Sequence, residues 1–432
     1  TLAGGNRNVA IGSDALLTFD ADDNTAIGYH STRSMISGAN NVSIGNYSLF
    51  SNLFGAECVA IGAESLYTSL GARNTAVGYQ SLSNATTGVD NVAVGHQTGY
   101  AILTGNRNVL IGRGVNTAGG NADNISDVVI IGSGANASYN STVSIGYNTA
   151  ASGMNSLSVG NTAMASGVGS VAIGYNPISN AAGSIAIGND NGGGPTNASG
   201  IGAIALGTTA RTGTGAGNIM IGSSAGIGTI TGSNNVAIGS LAGQTIAANL
   251  KTVNIGYASN ASNAFAIAVG AQSTVASNSG IAVGYIANTG SGAECISIGT
   301  NTGYYYGTGT RNIAIGGFAL DANTTGSNNI AIGRDTLTEN TTASSNTVLG
   351  NSSGTSVTIG SNNTITGYNS AISLTTGSSN VAVGHTAGNT LATGSNNVIL
   401  GMGANVNSAS ATNRIVLGSN ANGQTDNSFT VD

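Results

Sequence analysis

The chain is written in short apolar bursts. A β-branched or aliphatic residue, a small residue and a second aliphatic residue recur just before a glycine, as in Val59-Ala60-Ile61-Gly62, Thr75-Ala76-Val77-Gly78 and Val92-Ala93-Val94-Gly95. Alternation on this scale has a period of two. Each burst therefore predicts a very short strand, with its first and third side chains on one face and its second on the other. Polar turn sequences such as Thr87-Gly88-Val89-Asp90-Asn91 separate the bursts, with glycine suited to positive φ and asparagine to local backbone hydrogen bonds. Asparagine just before each strand predicts a side-chain ladder from one burst to the next.

The motif glycines run from Gly12 to Gly418, spaced by 16 or 17 residues as far as Gly112 and by 14 from Gly132 to Gly188, with mixed spacing afterwards. Such a period is too short for helical repeats or propeller blades and suits one coil of a solenoid. The expected fold is all-β, a parallel β-roll or β-helix solenoid of 14- to 17-residue coils. The spacing divides it into residues 1–131 with 16–17-residue coils, 132–207 with 14-residue coils, 208–418 with mixed coils, and a C-terminal segment at 419–432. In the longer coils a second strand is expected at Ser65-Leu66-Tyr67 and its equivalents. Gly350, Gly360 and Gly384 are taken as consecutive motif glycines, with 361–379 breaking the pattern.

The middle position of the burst is restricted to small residues. Ala10, Ala26, Ser43, Ala60, Ala76, Ala93, Ala172, Ala186, Ala237, Ala314, Ala331 and Ala382 hold it. A solvated strand face would accept Lys, Glu or Gln there, so the restriction predicts close packing against another backbone. With the β-branched pair assigned to the coil interior, the small residues face outward, towards a neighbouring chain.

Composition narrows the class. Only 6% of residues are charged, 69 are glycine and none is tryptophan. Polar residues interrupt every apolar run before the ~18 residues that a membrane span needs, so no membrane insertion is expected of this segment. The net charge of −6, with ten scattered basic residues, excludes the basic footprint of a nucleic-acid binder. Cys58 and Cys295 occupy the same local context, Gly-Ala-Glu-Cys, and read as two small fillers without a disulfide between them. The opening residues up to Gly12 match the second half of a repeat, so the chain is expected to begin inside a longer polypeptide.

The 14-residue block, with Ser170-Val171-Ala172-Ile173-Gly174 and Ser184-Ile185-Ala186-Ile187-Gly188, resembles the head repeats of trimeric autotransporter adhesins. The 17-residue blocks, such as Asn74 to Gly88, resemble the repeats of phage and large-virus tail fibres. The stretch Arg414 to Asp432 is similar to the segment that precedes the intramolecular chaperone of such fibres. The resemblance implies a left-handed parallel β-roll, assembled as a homotrimer in which the small middle residues pack at the trimer axis. The function it implies is that of a structural and adhesive viral or phage fibre on the virion surface, mediating attachment to a host receptor, a glycan among the candidates. The alternative is the head of a bacterial trimeric autotransporter adhesin on the cell surface. An ice-binding solenoid is a third class, disfavoured by the lack of regular Thr-x-Thr ranks.

Nothing points to catalysis. The 16 carboxylates are dispersed, and of the three histidines His96 and His385 fall after the motif glycine, where tyrosines stand in other coils. No enzyme activity, cofactor or metal is expected. The glycine string Gly226 to Gly232 lacks the βαβ setting of a phosphate loop. Recognition is better sought where the period is broken, at 116–127, at 189–199 and at Tyr304-Tyr305-Tyr306, where aromatic rings could meet a glycan or receptor.

Overall fold

A computed structural model describes residues 5–17, 21–117, 124–228, 230–246, 248, 251–303 and 307–432. The chain is an all-β parallel solenoid with no α-helix among these residues. It forms two compact units, Thr1–Thr212 and Gly213–Asp432.

In the first unit the three-residue strands stack in sequence order. Val42–Ile44 pairs with Val59–Ile61, and Val59–Ile61 in turn pairs with Thr75–Val77, always in parallel and with like residues opposite one another. The second unit repeats the pattern from Ile219–Ile221 onward, through steps such as Ile313↔Ile330 and Ile330↔Thr347. Residues 116–127 and 189–199 enlarge their coils without disturbing the strand register, since Val109 still meets Val129 and Ile185 still meets Ile204.

Two backbone devices hold the coils at this spacing. The motif glycine has φ near +130°, and a Cβ on Gly78 would lie 2.3 Å from the carbonyl oxygen of Gly95 in the next coil. Only glycine fits there. The second device is the asparagine before each strand. Asn363 accepts a hydrogen bond at Oδ1 from the backbone N–H of Asn380, 3.0 Å away, and its Nδ2 donates to the carbonyl of Gly377 at 3.0 Å. Each amide thus satisfies buried backbone groups of the following coil, and the ladder runs from Asn312 to Asn397.

The two coil lengths differ in one turn. In the longer coils the fourth residue after the motif glycine is left-handed, as at Leu49 (φ 53°), Leu66 (φ 49°) and Leu82 (φ 51°), and its side chain is buried. Ser65-Leu66-Tyr67 is therefore a turn, contrary to the expected second strand, because a left-handed residue ends extended backbone. The short coils omit this turn and do form a second strand. Asn136–Ala137, Ala150–Ala151, Met164–Ala165 and Ile178–Ser179 pair in a ladder of their own.

The C-terminal part departs from the sequence reading at two points. Gly360 lies in a turn, and the motif glycine of that coil is Gly367 (φ 136°), after the strand Thr364–Thr366. The stretch 361–379 thus keeps the register, with Thr347↔Thr364 and Thr364↔Val381. It escaped the motif because threonine flanks the strand centre. Residues 419–432 add another coil, whose strand Phe429–Val431 pairs with Ile415–Leu417.

The core is narrow, and its large side chains alternate between two facing slots. Where the fourth residue after the glycine is Leu49, Leu66 or Leu82, the seventh is Asn52, Ser69 or Ala85. Where the fourth is Gly99, Gly354 or Gly388, the seventh is Ile102, Val357 or Leu391, all buried. One large residue per coil fills the space.

Candidate functional site

The solenoid wall reverses the expected facing of the strand residues. The middle residues Ala26, Ser43, Ala60, Ala76, Ala93, Ala172, Ala186, Ala237, Ala314, Ala331 and Ala382 are fully buried inside their own coil, and only Ala10 is exposed. They have no surface to offer at a trimer axis. The physical reason is the narrow interior, which already contains the fourth- and seventh-position residues and leaves room for a methyl group or hydroxyl. Ser43 shows the crowding, with its Oγ 2.7 Å from Ser48 Oγ and 2.6 Å from Ser31 Oγ.

The β-branched pair therefore points outward. Ile44, Ile61, Val94 and Ile111 in the first unit are each more than a third exposed, as are Ile238, Ile255, Ile298 and Ile332 in the second. Because the strands are in register, these residues line up as an apolar stripe in each unit, interrupted in the second by Thr366. A signal of this facing was present in the sequence. The middle residue grows where the fourth-position residue of the preceding coil shrinks, as in Gly99 with Leu110 and Gly388 with Ile399. A Cβ on either glycine would come within 3.3–3.4 Å of the larger side chain. Such reciprocity requires that both project into one interior.

Past the corner glycine the surface changes character. In three successive coils of the first unit Tyr29, His30, Tyr47, Phe50 and Tyr67 gather into one aromatic cluster. Tyr29 stacks on His30 at 3.8 Å between centroids, Tyr47 meets both rings edge-on at 5.5 and 5.2 Å, and Phe50 stacks on Tyr67 at 5.1 Å. His30 is held by Asp14, with Nε2 3.0 Å from Oδ2. A shallow groove at the edge of the cluster is lined by Tyr47, Glu64 and Tyr67, and Gln80 Nε2 donates to Glu64 Oε2 at 2.7 Å. His96 and His385 each lie beside the tyrosine one coil away, Tyr79 and Tyr368, at 5.3 and 5.4 Å. Tyr304, Tyr305 and Tyr306 lie outside the described residues.

Charged residues serve the stack. Arg73 and Arg107 make forked pairs with Asp90 and Asp127 in the following coils, and the hydrogen bonds from the guanidinium groups hold both carboxyls below the usual range. Cys58 and Cys295 are buried free thiols in the asparagine slot. Their sulfurs donate to the carbonyls of Gly71 and Gly309 at 3.4 and 3.3 Å, as the amides do in other coils. Burial pushes both thiols above the ordinary value, against the pull of neighbouring backbone N–H groups. Among the described residues no three His, Cys, Asp or Glu side chains are grouped to hold a metal ion.

Fold and surface together define a parallel β-solenoid with adhesin-head-like β-roll coils. Residues 140–163, 151–176, 165–191 and 255–273 match the YadA head domain repeat, a family description spanning two copies of the unit. These stretches lie in the short coils. No curated protein matches the chain.

Proposed function

We propose that the chain is one strand of a homotrimeric attachment fibre, structural and adhesive rather than enzymatic, and that its outward Val and Ile stripes are where the three chains meet. The observation that carries this reading is the apolar wall itself. Exposed aliphatic residues in register are unusual on a monomer surface and mark a contact between chains. The match of the short coils to the YadA head repeat supports the same assembly, since the adhesin heads that these coils resemble are trimers. Its partners are then two further copies of itself and a host surface receptor.

The longer coils and the stretch 414–432, by their resemblance to viral fibres, favour display on a virion. A bacterial cell surface is the second reading, favoured by the matched repeats at 140–191. Light scattering on the native protein should give three times the 41.9 kDa of one chain. Glutamate at both Ile238 and Ile255 should release monomers with unchanged circular dichroism, because it buries uncompensated charge between chains only. A native monomer would overturn the assembly.

A further inference from the structure

We propose that the aromatic corner of the first unit, with Tyr47, Tyr67 and Glu64 at its groove, is a binding site for a neutral saccharide. The inference rests on the attachment role argued above and places a ligand on it.

The rings are not needed by the fold. Leu49 and Leu66 fill the interior of these coils, whereas Tyr47, Phe50 and Tyr67 lie on the outer surface and are only partly buried. At the places equivalent to Tyr47 and Phe50, a later coil carries Gln80 and Ser83 with the same strand register. The solenoid thus closes equally well with polar residues there. The cluster also begins past the corner glycine Gly28, off the Val and Ile stripe, so a chain seated on that stripe has no requirement for it.

The chemistry of the groove suits a sugar. A pyranose presents an apolar face of C–H groups and a rim of hydroxyls, and aromatic rings beside a fixed hydrogen-bond acceptor match both. Tyr47 and Tyr67 stand 6.3 Å apart, tilted by 54°, and form the walls. Glu64 is fixed by Gln80 through Oε2, and its Oε1 has no hydrogen-bond partner among the described residues. That oxygen can accept from a sugar hydroxyl. The groove has the Glu64 carboxylate at its edge and the positive charge of Arg33 within reach of Tyr47, so it favours neither sign and the expected ligand is uncharged.

The test is saturation-transfer NMR on the native assembly with the methyl glycosides of glucose, galactose and N-acetylglucosamine, and with N-acetylneuraminic acid as the anionic comparison. At least one neutral sugar should receive saturation on its C–H face, and N-acetylneuraminic acid none. Tyr67→Ala and Glu64→Ala should each weaken binding about tenfold, while Gln272→Ala, at the place in the second unit equivalent to Gln80, leaves it unchanged. Absence of transfer to every neutral sugar, or equal transfer in Tyr67→Ala, would overturn the proposal. Dissociation of the assembly by Tyr67→Ala would overturn it as well, by showing that the corner is a subunit contact. A trimer that binds no sugar refutes the site alone, and a monomer that binds one refutes the assembly alone.

Discussion

Asn363 shows how much one side chain does in this fold. It is buried and bonded to the coil before it and the coil after it, so replacing it by leucine leaves the N–H of Asn380 and the carbonyl of Gly377 without partners. Asn363→Leu should lower stability by about 2–4 kcal/mol, read by chemical denaturation. Asp321 is the converse case, a carboxyl whose Oδ1 is buried without a hydrogen bond. Burial, with Asp335 adding repulsion, pushes its pKa up to about 6 from an ordinary 3.8. A raised carboxyl pKa favours the protonated native state. This stabilisation is fully present below pH 3.8 and is lost as the pH rises through about 6. Asp321→Asn should therefore be more stable than the parent above pH 6 by about 1–2 kcal/mol, with the difference vanishing near pH 4. Melting both proteins across that range checks it.

At the scale of the coil, the exchange between fourth and seventh positions makes a prediction about pairs. A Cβ on Gly243 would lie 2.7 Å from Cδ1 of Ile246, the seventh-position residue of the same coil. Gly243→Leu alone should destabilise by about 1–3 kcal/mol, and adding Ile246→Ala should recover most of it, as a double-mutant cycle of melting curves would show. Much of the coil could be read from the sequence. The strand triplets, the asparagine ladder and the tolerance of insertions at 116–127 and 189–199 all follow from spacing, because each depends on residues a fixed distance apart. Which face of Val59-Ala60-Ile61 is the inner one could not be read from alternation, since a period of two defines two faces without saying which encloses the core. The same gap hid the Thr364–Thr366 strand, whose flanking threonines suit an outward wall position but not the inward one assumed for them. The aromatic corner was missed because Tyr29, Tyr47 and Tyr67 occupy different places in their coils, and only the stacking of the coils brings them together.

Across each unit, stability is a sum over neighbours, because a coil touches chiefly the ones before and after it. Whole coils should then be removable. Deleting residues 347–363 joins Asn346 to Thr364 and restores the sequence of ladder, strand and glycine that the next coil requires. The shortened protein should retain its circular dichroism spectrum and its resistance to limited proteolysis. Deleting residues 347–366 instead joins Asn346 directly to Gly367 with no strand triplet between them, and a lower melting temperature with proteolysis near the junction is expected.

The positions that hold the stack and those that face solvent are different positions. Gly28, Gly78 and Gly95 are interchangeable in role, yet the exposed residue after each is Tyr29, Tyr79 or His96, and after the last two the next is a glutamine, the half-buried Gln80 or the exposed Gln97. Ring, amide and imidazole follow one another along a backbone path that does not change. The scaffold behaves as a rail with sockets at a fixed pitch, so the cargo it presents can be exchanged, coil by coil, without renegotiating how the protein folds.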